Sequence, residues 1–531
     1  MKDVNFIPTD YAGRIAKTFI HSPLTLTLGI FILAIGYLAL EIMPREENPQ
    51  MVVSGSTVII VLPGASAKEI EKIIVNPLER KLKEVKGVEH IYGRAMDNVG
   101  IVNAAFFIGE EKEGANLKVY DKIMQNADIF PSGAMKPIIK PLDIDVDIPI
   151  VSIAFYADDE KMSKTELYDR VKKIQHHING LDNVAVTGLK GGSKHQYNIE
   201  VDINKLSGYN LSLGQIKKAI SSLAYNVPAT KNTSKDNEIV ILGVKNALDS
   251  IKDISNIIVA QYMGSPIYLS QIAHVSDSYD IQNFKKALIK VRGKDGKFSS
   301  FKEQITLSVS KLQGTNAVII ADEVKEELHK YKKLLEKNGI HYVITRNDGE
   351  RADEAVNELV YHLVLSIIII AILLAFVLGW RESLIVTFTV PAILAITLFV
   401  AYLSGQTINR ITLFAFLLSL GLLVDAAIIV IENIHRHYHS KDSAHQSPTE
   451  LMIKATDEIG APTNIATLAI ILTMVPMAFV GQMMGQFMKP IPANVPVALI
   501  ASLFVAYIFT PYLAVRMLKR PDHSDKGEEN V

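Results

Sequence analysis

The stretch Gly421-Leu-Leu-Val-Asp425-Ala-Ala-Ile-Ile-Val-Ile-Glu432-Asn433 sets a carboxylate inside an apolar run, about 411–431, long enough to cross a bilayer. A charged side chain near a bilayer centre costs about 2.5–3.5 kcal/mol on insertion scales, so one is rarely kept there without a role. The chemistry Asp425 offers is proton titration. A carboxylate in such a span can load a proton from one side and release it to the other as its surroundings change. Moving one charge through the membrane potential is worth about 2.3 kcal/mol per 100 mV, enough to bias a conformational cycle. The plainer alternative is an aspartate held against a polar neighbour for packing. Gly421 lies one turn before Asp425 on the same helical face, and Glu432 two turns after it. A small residue at 421 allows another helix to come close, and Ala426 and Ala427 keep that contact tight. Glu432 reads either as a helix-end residue or as a further station on a proton path. None of the other apolar runs carries an interior Lys or Arg to pair with Asp425.

Other chemistry-bearing residues have simpler readings beside the functional ones. Glu41 and His362 fall near span ends, where interfacial side chains are ordinary. His435, His437 and His439, with His445 nearby, resemble a metal tract, but beside Arg436 they also suit a solvated basic segment at the membrane surface. Met474, Met477, Met483, Met484 and Met488 offer thioethers that bind soft monovalent copper or silver, or that fill gaps between helices. No phosphate-binding glycine loop is present, so ATP is not the evident energy source. No nucleophile–base arrangement stands out. The sequence points to no enzyme and to no cofactor.

The elements that must position Asp425 follow from composition. The chain has 531 residues, no cysteine and a formal net charge of −1. That removes disulfides and thiolate metal sites, and gives no electrostatic case for nucleic acid. Apolar residues concentrate near the N-terminus and after about residue 358. The run 24–40 is too long for a cleavable leader and has no small-residue cleavage site after it, so it reads as a retained first span. The expected organisation is a cytoplasmic segment 1–23 with an amphipathic flavour around 11–20, a first transmembrane helix 24–44, and an extramembrane region 45–357. Transmembrane helices two to six follow in 358–518, about 359–380, 384–403, 411–431, 464–480 and 495–517, and then a cytoplasmic tail 519–531. Arg381, the 433–460 loop with Arg436, Lys441 and Lys454, and the tail with Arg516, Lys519 and Arg520 all fall on one side. The positive-inside rule makes that side cytoplasmic and exports residues 45–357, to the periplasm in a bacterium.

The exported region alternates strand and helix. Strand 52–62 leads through Pro63-Gly64 into a helix 67–85 with a Ser66/Glu69 capping box and a kink at Pro77. Strands near 88–92 and 100–108 and a helix near 117–126 follow, up to a proline-rich break at 131–141. The scheme then recurs with strand 148–156, helix 163–178 and strand 184–189. An insertion of about 190–279, with a helix near 213–223, precedes strand 304–312, helix 317–338 and strand 340–346. The fold class is an α-helical membrane bundle of six transmembrane helices plus a large α+β domain of two βαβ-type modules.

One span, a large exported region and five more spans, with the Asp425 motif in the fourth, resembles the resistance–nodulation–division (RND) efflux transporters. The supporting motifs are Leu62-Pro-Gly-Ala-Ser-Ala-Lys-Glu-Ile-Glu-Lys-Ile-Ile-Val-Asn-Pro-Leu-Glu79, Val475-Pro-Met-Ala-Phe479 in the fifth span and Thr510-Pro511 in the sixth. The resemblance implies an inner-membrane permease with periplasmic porter modules, segment 190–279 as a docking insertion, and proton-driven antiport of drugs or metal ions. It implies a homotrimer working with a periplasmic adaptor protein and an outer-membrane channel, and it matches Asp425 to the family's proton-relay aspartate. Two departures qualify this. The multidrug branch has a second Asp where this chain has Ala426. Asp-Ala is similar to the heavy-metal branch and to SecD-like protein-translocation accessories. Family pumps are also about twice this length, so the chain resembles an N-terminal half that needs a complementary C-terminal half carrying the cation for Asp425. The alternatives are a SecD-like accessory and a non-transporting truncated half.

Overall fold

A computed structural model of the chain describes residues 6–158, 162–223, 230–233, 239–242, 250–262, 264–280, 285–293, 296–440 and 446–518. His445 and the tail lie outside the described residues.

Among these, six helices are long and apolar enough to cross a membrane: Leu24–Ile42, Asp348–Val377, Trp380–Leu403, Arg410–His439, Pro448–Ala478 and Gln482–Met517. The last is a short helix, Gln482–Met488, followed by Pro490–Met517. Several start well before the apolar runs that mark them, because capping residues begin a helix where hydropathy is silent. Asn347 accepts from the Glu350 N–H at 3.1 Å, and acidic Asp348 and Glu350 suit the positive end of the second spanning helix. Ser447 does the same for the fifth, accepting from Glu450 N–H at 3.2 Å. The expected loop 433–460 is therefore mostly helix.

The bundle buries one continuous apolar core, in which Ile385, Ile393, Leu423, Val430 and Val495 have no appreciable exposure. Gly36 permits a close crossing: a Cβ there would sit 2.3 Å from the Cβ of Ala395 on the third spanning helix. The amphipathic stretch forms helix Tyr11–Phe19, which lays Ala12, Gly13 and Ala16 against the fifth spanning helix. Asp457 on that helix accepts from the Thr9 and Asp10 N–H groups at 3.0 and 2.8 Å, supplying the capping acceptor from outside the helix it caps.

The strand-rich region holds two sheets of the same order. In the first, strands run Val88–Met96, Val99–Phe106, Gly55–Val61 and Ile138–Leu142, each neighbour antiparallel. The second sets Val184–Lys190, Lys302–Lys311, Val151–Ala157 and Ile340–Asn347 in equivalent places, with Ala287–Ile289 added at the edge. The βαβ expectation thus resolves as a split βαβ. The crossover keeps 55–61 and 88–96 pointing the same way, and an antiparallel strand lies between them. The insertion leaves the second module between its second and third strands and closes on itself by pairing His195–Val201 with Ala273–Tyr279. The proline-rich break is not structureless: Ile138–Leu142 is an edge strand, where Pro141 needs no donor. Pro77 is met by a π-helical turn, Glu71–Val75, that widens the helix where the ring would press on the preceding carbonyl. The Ser66/Glu69 capping box is present, with Ser66 N–H donating at 2.8 Å.

Residues 44–47 join the sheets to the bundle. Arg45 pairs with Asp353 at 2.9 Å and its carbonyl accepts from Ala317 N–H at 2.9 Å. Glu47 meets Arg410 at 3.1 Å. Glu46 and Lys311 form a buried pair at 3.3 Å, their side chains only 5% and 6% exposed. Removing one partner of such a pair typically costs about 3–5 kcal/mol, whereas neutralising both is far cheaper. Lys311→Ala is therefore expected to lower the unfolding midpoint strongly, and Glu46→Gln added to it to recover part of the loss. Urea denaturation of the full chain in detergent checks both.

Asp158, at the opposite end of its strand, accepts from Lys302 at 2.9 Å and from His341. These partners, Lys302 foremost, hold its carboxyl below the usual carboxylate range. A group so depressed stabilises the fold above its unfolded value of about 3.9 and loses that contribution as pH falls through the folded value. The stability advantage of wild type over Asp158→Asn, read as the difference in unfolding midpoint, is expected to shrink as pH falls through the carboxylate range.

Candidate functional site

The fourth spanning helix, Arg410–His439, begins at Asn409, whose side-chain oxygen accepts from Ile411 and Thr412 N–H at 3.1 and 3.0 Å. Asp425 stands at its midpoint, about 22 Å from either end at 1.5 Å rise per residue. Leu413, Phe416, Leu420, Leu423, Val424, Ala427 and Val430 bury one face, chiefly against Pro490–Met517. Ala426 and Ala427 belong to that buried face, at 4% and 1% exposure. They tighten the bundle and not, as the sequence suggested, the contact around Asp425.

The opposite face, as far as Glu432, has no partner among the described residues. Phe414, Leu418, Gly421, Asp425, Ile429, Glu432 and Arg436 recur at spacings of three and four and are all exposed. Asp425 and Glu432 make no hydrogen bond or ion pair with any described residue. A Cβ on Gly421 would meet nothing within 4 Å, so its smallness serves no packing among the described residues. The structure brings Gly421, Asp425 and Glu432 to one stripe, as their spacing predicts. It turns that stripe outward instead of burying it. Glu41 is exposed at the end of the first spanning helix; His362 is exposed at the middle of Asp348–Val377, not near an end as the apolar run suggested, and lies 3.6 Å from Glu358.

The cytoplasm-expected end of this helix is fastened on both sides. His435 pairs with Glu382 of the third spanning helix at 3.0 Å. His437 and Arg436 meet Glu458 of the fifth at 2.6 and 2.9 Å. Asn433, next to Glu432, is buried and donates to the Ala455 carbonyl at 2.7 Å. These partners lie far along the chain, which is why the sequence left the histidines undecided between metal tract and solvated loop. Among the described residues no group of three or more His, Cys, Asp or Glu could hold a metal ion. Met477 and Met488 pack on the bundle core, while Met483 and Met484 are exposed.

A bundle of six membrane-competent helices, with a sheet-rich region between the first and second and a lone mid-helix aspartate in the fourth, has a counterpart among known families. The model of the AcrB/AcrD/AcrF family matches residues 15–530. The chain belongs to that family. Its members are RND efflux permeases of the inner membrane, transporters and not enzymes, and such permeases generally act as trimers with adaptor and outer-membrane channel partners.

Because the chain has no cysteine, single-cysteine variants map the stripe without background. In detergent, Leu418→Cys and Gly421→Cys are expected to react with a maleimide. Leu423→Cys, on the buried face, is expected to stay unlabelled until the protein is unfolded; equal labelling at all three positions would contradict the orientation of this helix.

Proposed function

We propose that this chain is the N-terminal half of an RND permease that exports drugs or metal ions at the expense of the proton gradient, with Asp425 as the residue that takes up and releases the proton. The observation that carries this reading is a carboxylate at the midpoint of a membrane-competent helix, unpaired among the described residues and on a face that they leave open. Left against lipid, that carboxylate costs about 2.5–3.5 kcal/mol. A second helical half bearing Lys or Arg would cover the stripe and supply the missing charge. Gly421 lets a facing helix come close beside Asp425, and Glu432 extends the polar path toward the helix end. As the cation approaches and withdraws, Asp425 alternates between an ion pair and a protonated, neutral acid. This cycle is how a proton passing through the stripe would drive rearrangement elsewhere. A homotrimer of such units, joined to a periplasmic adaptor and an outer-membrane channel, would carry cargo across the envelope, with residues 45–357 forming the periplasmic porter and docking parts.

The chain co-reconstituted with its complementary half in liposomes is expected to pass protons inward when a pH gradient and substrate are present, read by an entrapped pH dye. Asp425→Asn should reduce that flux to the protein-free background, and Glu432→Gln should leave a measurable fraction. Undiminished flux in the Asp425→Asn protein would overturn the relay assignment.

A further inference from the structure

The open stripe of the fourth spanning helix continues back to a charge. Arg410 lies one turn before Phe414 on the same face, so the row that carries Gly421, Asp425 and Glu432 begins at an exposed arginine. Unlike the residues from Phe414 to Glu432, Arg410 has a partner. Its guanidinium donates to Glu47 Oε1 at 3.1 Å.

Glu47 does not belong to Arg410 alone. The same oxygen accepts from Arg351, on the second spanning helix, at 3.5 Å. The Glu47 side chain is only 10% exposed, whereas those of Arg351 and Arg410 are 61% and 59% exposed. One shielded carboxylate is thus shared by two solvated arginines on two helices. Among the described residues neither arginine has another side-chain partner, and Glu47 Oε2 accepts from none. A guanidinium can hold both oxygens of a carboxylate at once. Here each makes a single bond to the shared oxygen, so when one arginine withdraws the other can close on both. Ion pairs with so exposed a partner contribute little to stability, and little is lost when they exchange.

The backbone around Glu47 faces both ways. Toward the fourth helix, Ile408 N–H donates to the Pro44 carbonyl at 2.9 Å, Glu46 N–H to the Ile408 carbonyl at 2.9 Å, and Arg410 N–H to the Glu47 carbonyl at 3.3 Å. Toward the second module, the Arg45 carbonyl accepts from Ala317 N–H, and Glu46 pairs with Lys311. Arg351 itself stands in the first turn of Asp348–Val377, the helix that continues strand Ile340–Asn347.

We infer that Glu47 is the positioning residue through which the fourth spanning helix moves the second module. This rests on the relay reading of Asp425. The far end of the helix is held by His435, His437 and Arg436, so displacement that follows proton uptake or release is taken up as tilt at the Arg410 end. Tilt draws Arg410 from Glu47 and leaves the carboxylate to Arg351. The exchange then pulls on the second spanning helix and on the strand that feeds it.

The test uses the full chain joined to its complementary half in liposomes, with that half made cysteine-free. Donor and acceptor dyes on Glu336→Cys and Lys454→Cys, both exposed positions, report movement of the second module against the bundle by energy transfer. An entrapped pH dye reports proton entry in the same liposomes. An imposed pH gradient is expected to shift the transfer efficiency of the otherwise unaltered chain. Glu47→Gln and Arg410→Gln should each lose that shift while proton entry persists. Arg410→Lys, which keeps the cation, should retain the shift. A shift that survives Glu47→Gln, or one missing from Arg410→Lys as from Arg410→Gln, would overturn the assignment. So would proton entry lost together with the shift in Glu47→Gln, which would put Glu47 on the proton path itself. No proton entry with the unaltered chain, or undiminished entry with Asp425→Asn, would instead sink the relay reading, and the inference with it.

Discussion

A charge at the middle of an apolar helix must be met by something, and the fourth spanning helix is built around that constraint. Its buried face is finished: leucine, valine and alanine side chains seat it against the sixth span, and Asn409 closes its first turn. Its far end is held to two neighbours through His435, His437 and Arg436. Among the described residues the stripe from Phe414 to Glu432 stays open, and Asp425 stands on it. The helix is thus fixed in rotation by contacts that do not involve the carboxylate. This leaves the carboxylate available to a group from outside the chain. The same geometry gives Ala426 a physical meaning. Position 426 belongs to the packed face, so a second carboxylate there would enter the core of this bundle instead of extending the stripe.

Much of this was legible in the sequence, and for identifiable reasons. Apolar runs located the six membrane-competent helices found among the described residues. Period-two and period-three-to-four patterns located most strands and helices of the two modules, and the Ser66/Glu69 box was read correctly from its spacing. What escaped were features that depend on distant partners or on polar helix. Ile138–Leu142 hid among prolines because an edge strand tolerates them. The polar first turns of the second and fifth spanning helices gave no hydropathy signal, and only their Asn347 and Ser447 caps marked where they start. The carboxylates that meet His435 and His437 lie on other helices, so spacing within the tract held no clue to them. Burial of Asp425 was expected because an apolar run says that a residue is in the membrane, not which way it faces.

The Gln406–Asn494 hydrogen bond shows the same limit from another direction. Each residue is an unremarkable amide near a helix end, 88 positions apart. Only the folded chain brings them together.

The junction at residues 44–47 has a mechanical consequence. The second module is attached to the bundle by a desolvated ion pair, by the Ala317–Arg45 backbone bond, and by strand Ile340–Asn347 passing straight into helix Asp348–Val377, with Arg346 gripping Asp348 at 2.7 Å across the join. A strand that becomes a helix without an intervening loop has no slack. Torque on the second sheet therefore reaches the second spanning helix as rotation or tilt, with little lost on the way, and the join works as a drive shaft more than as a tether.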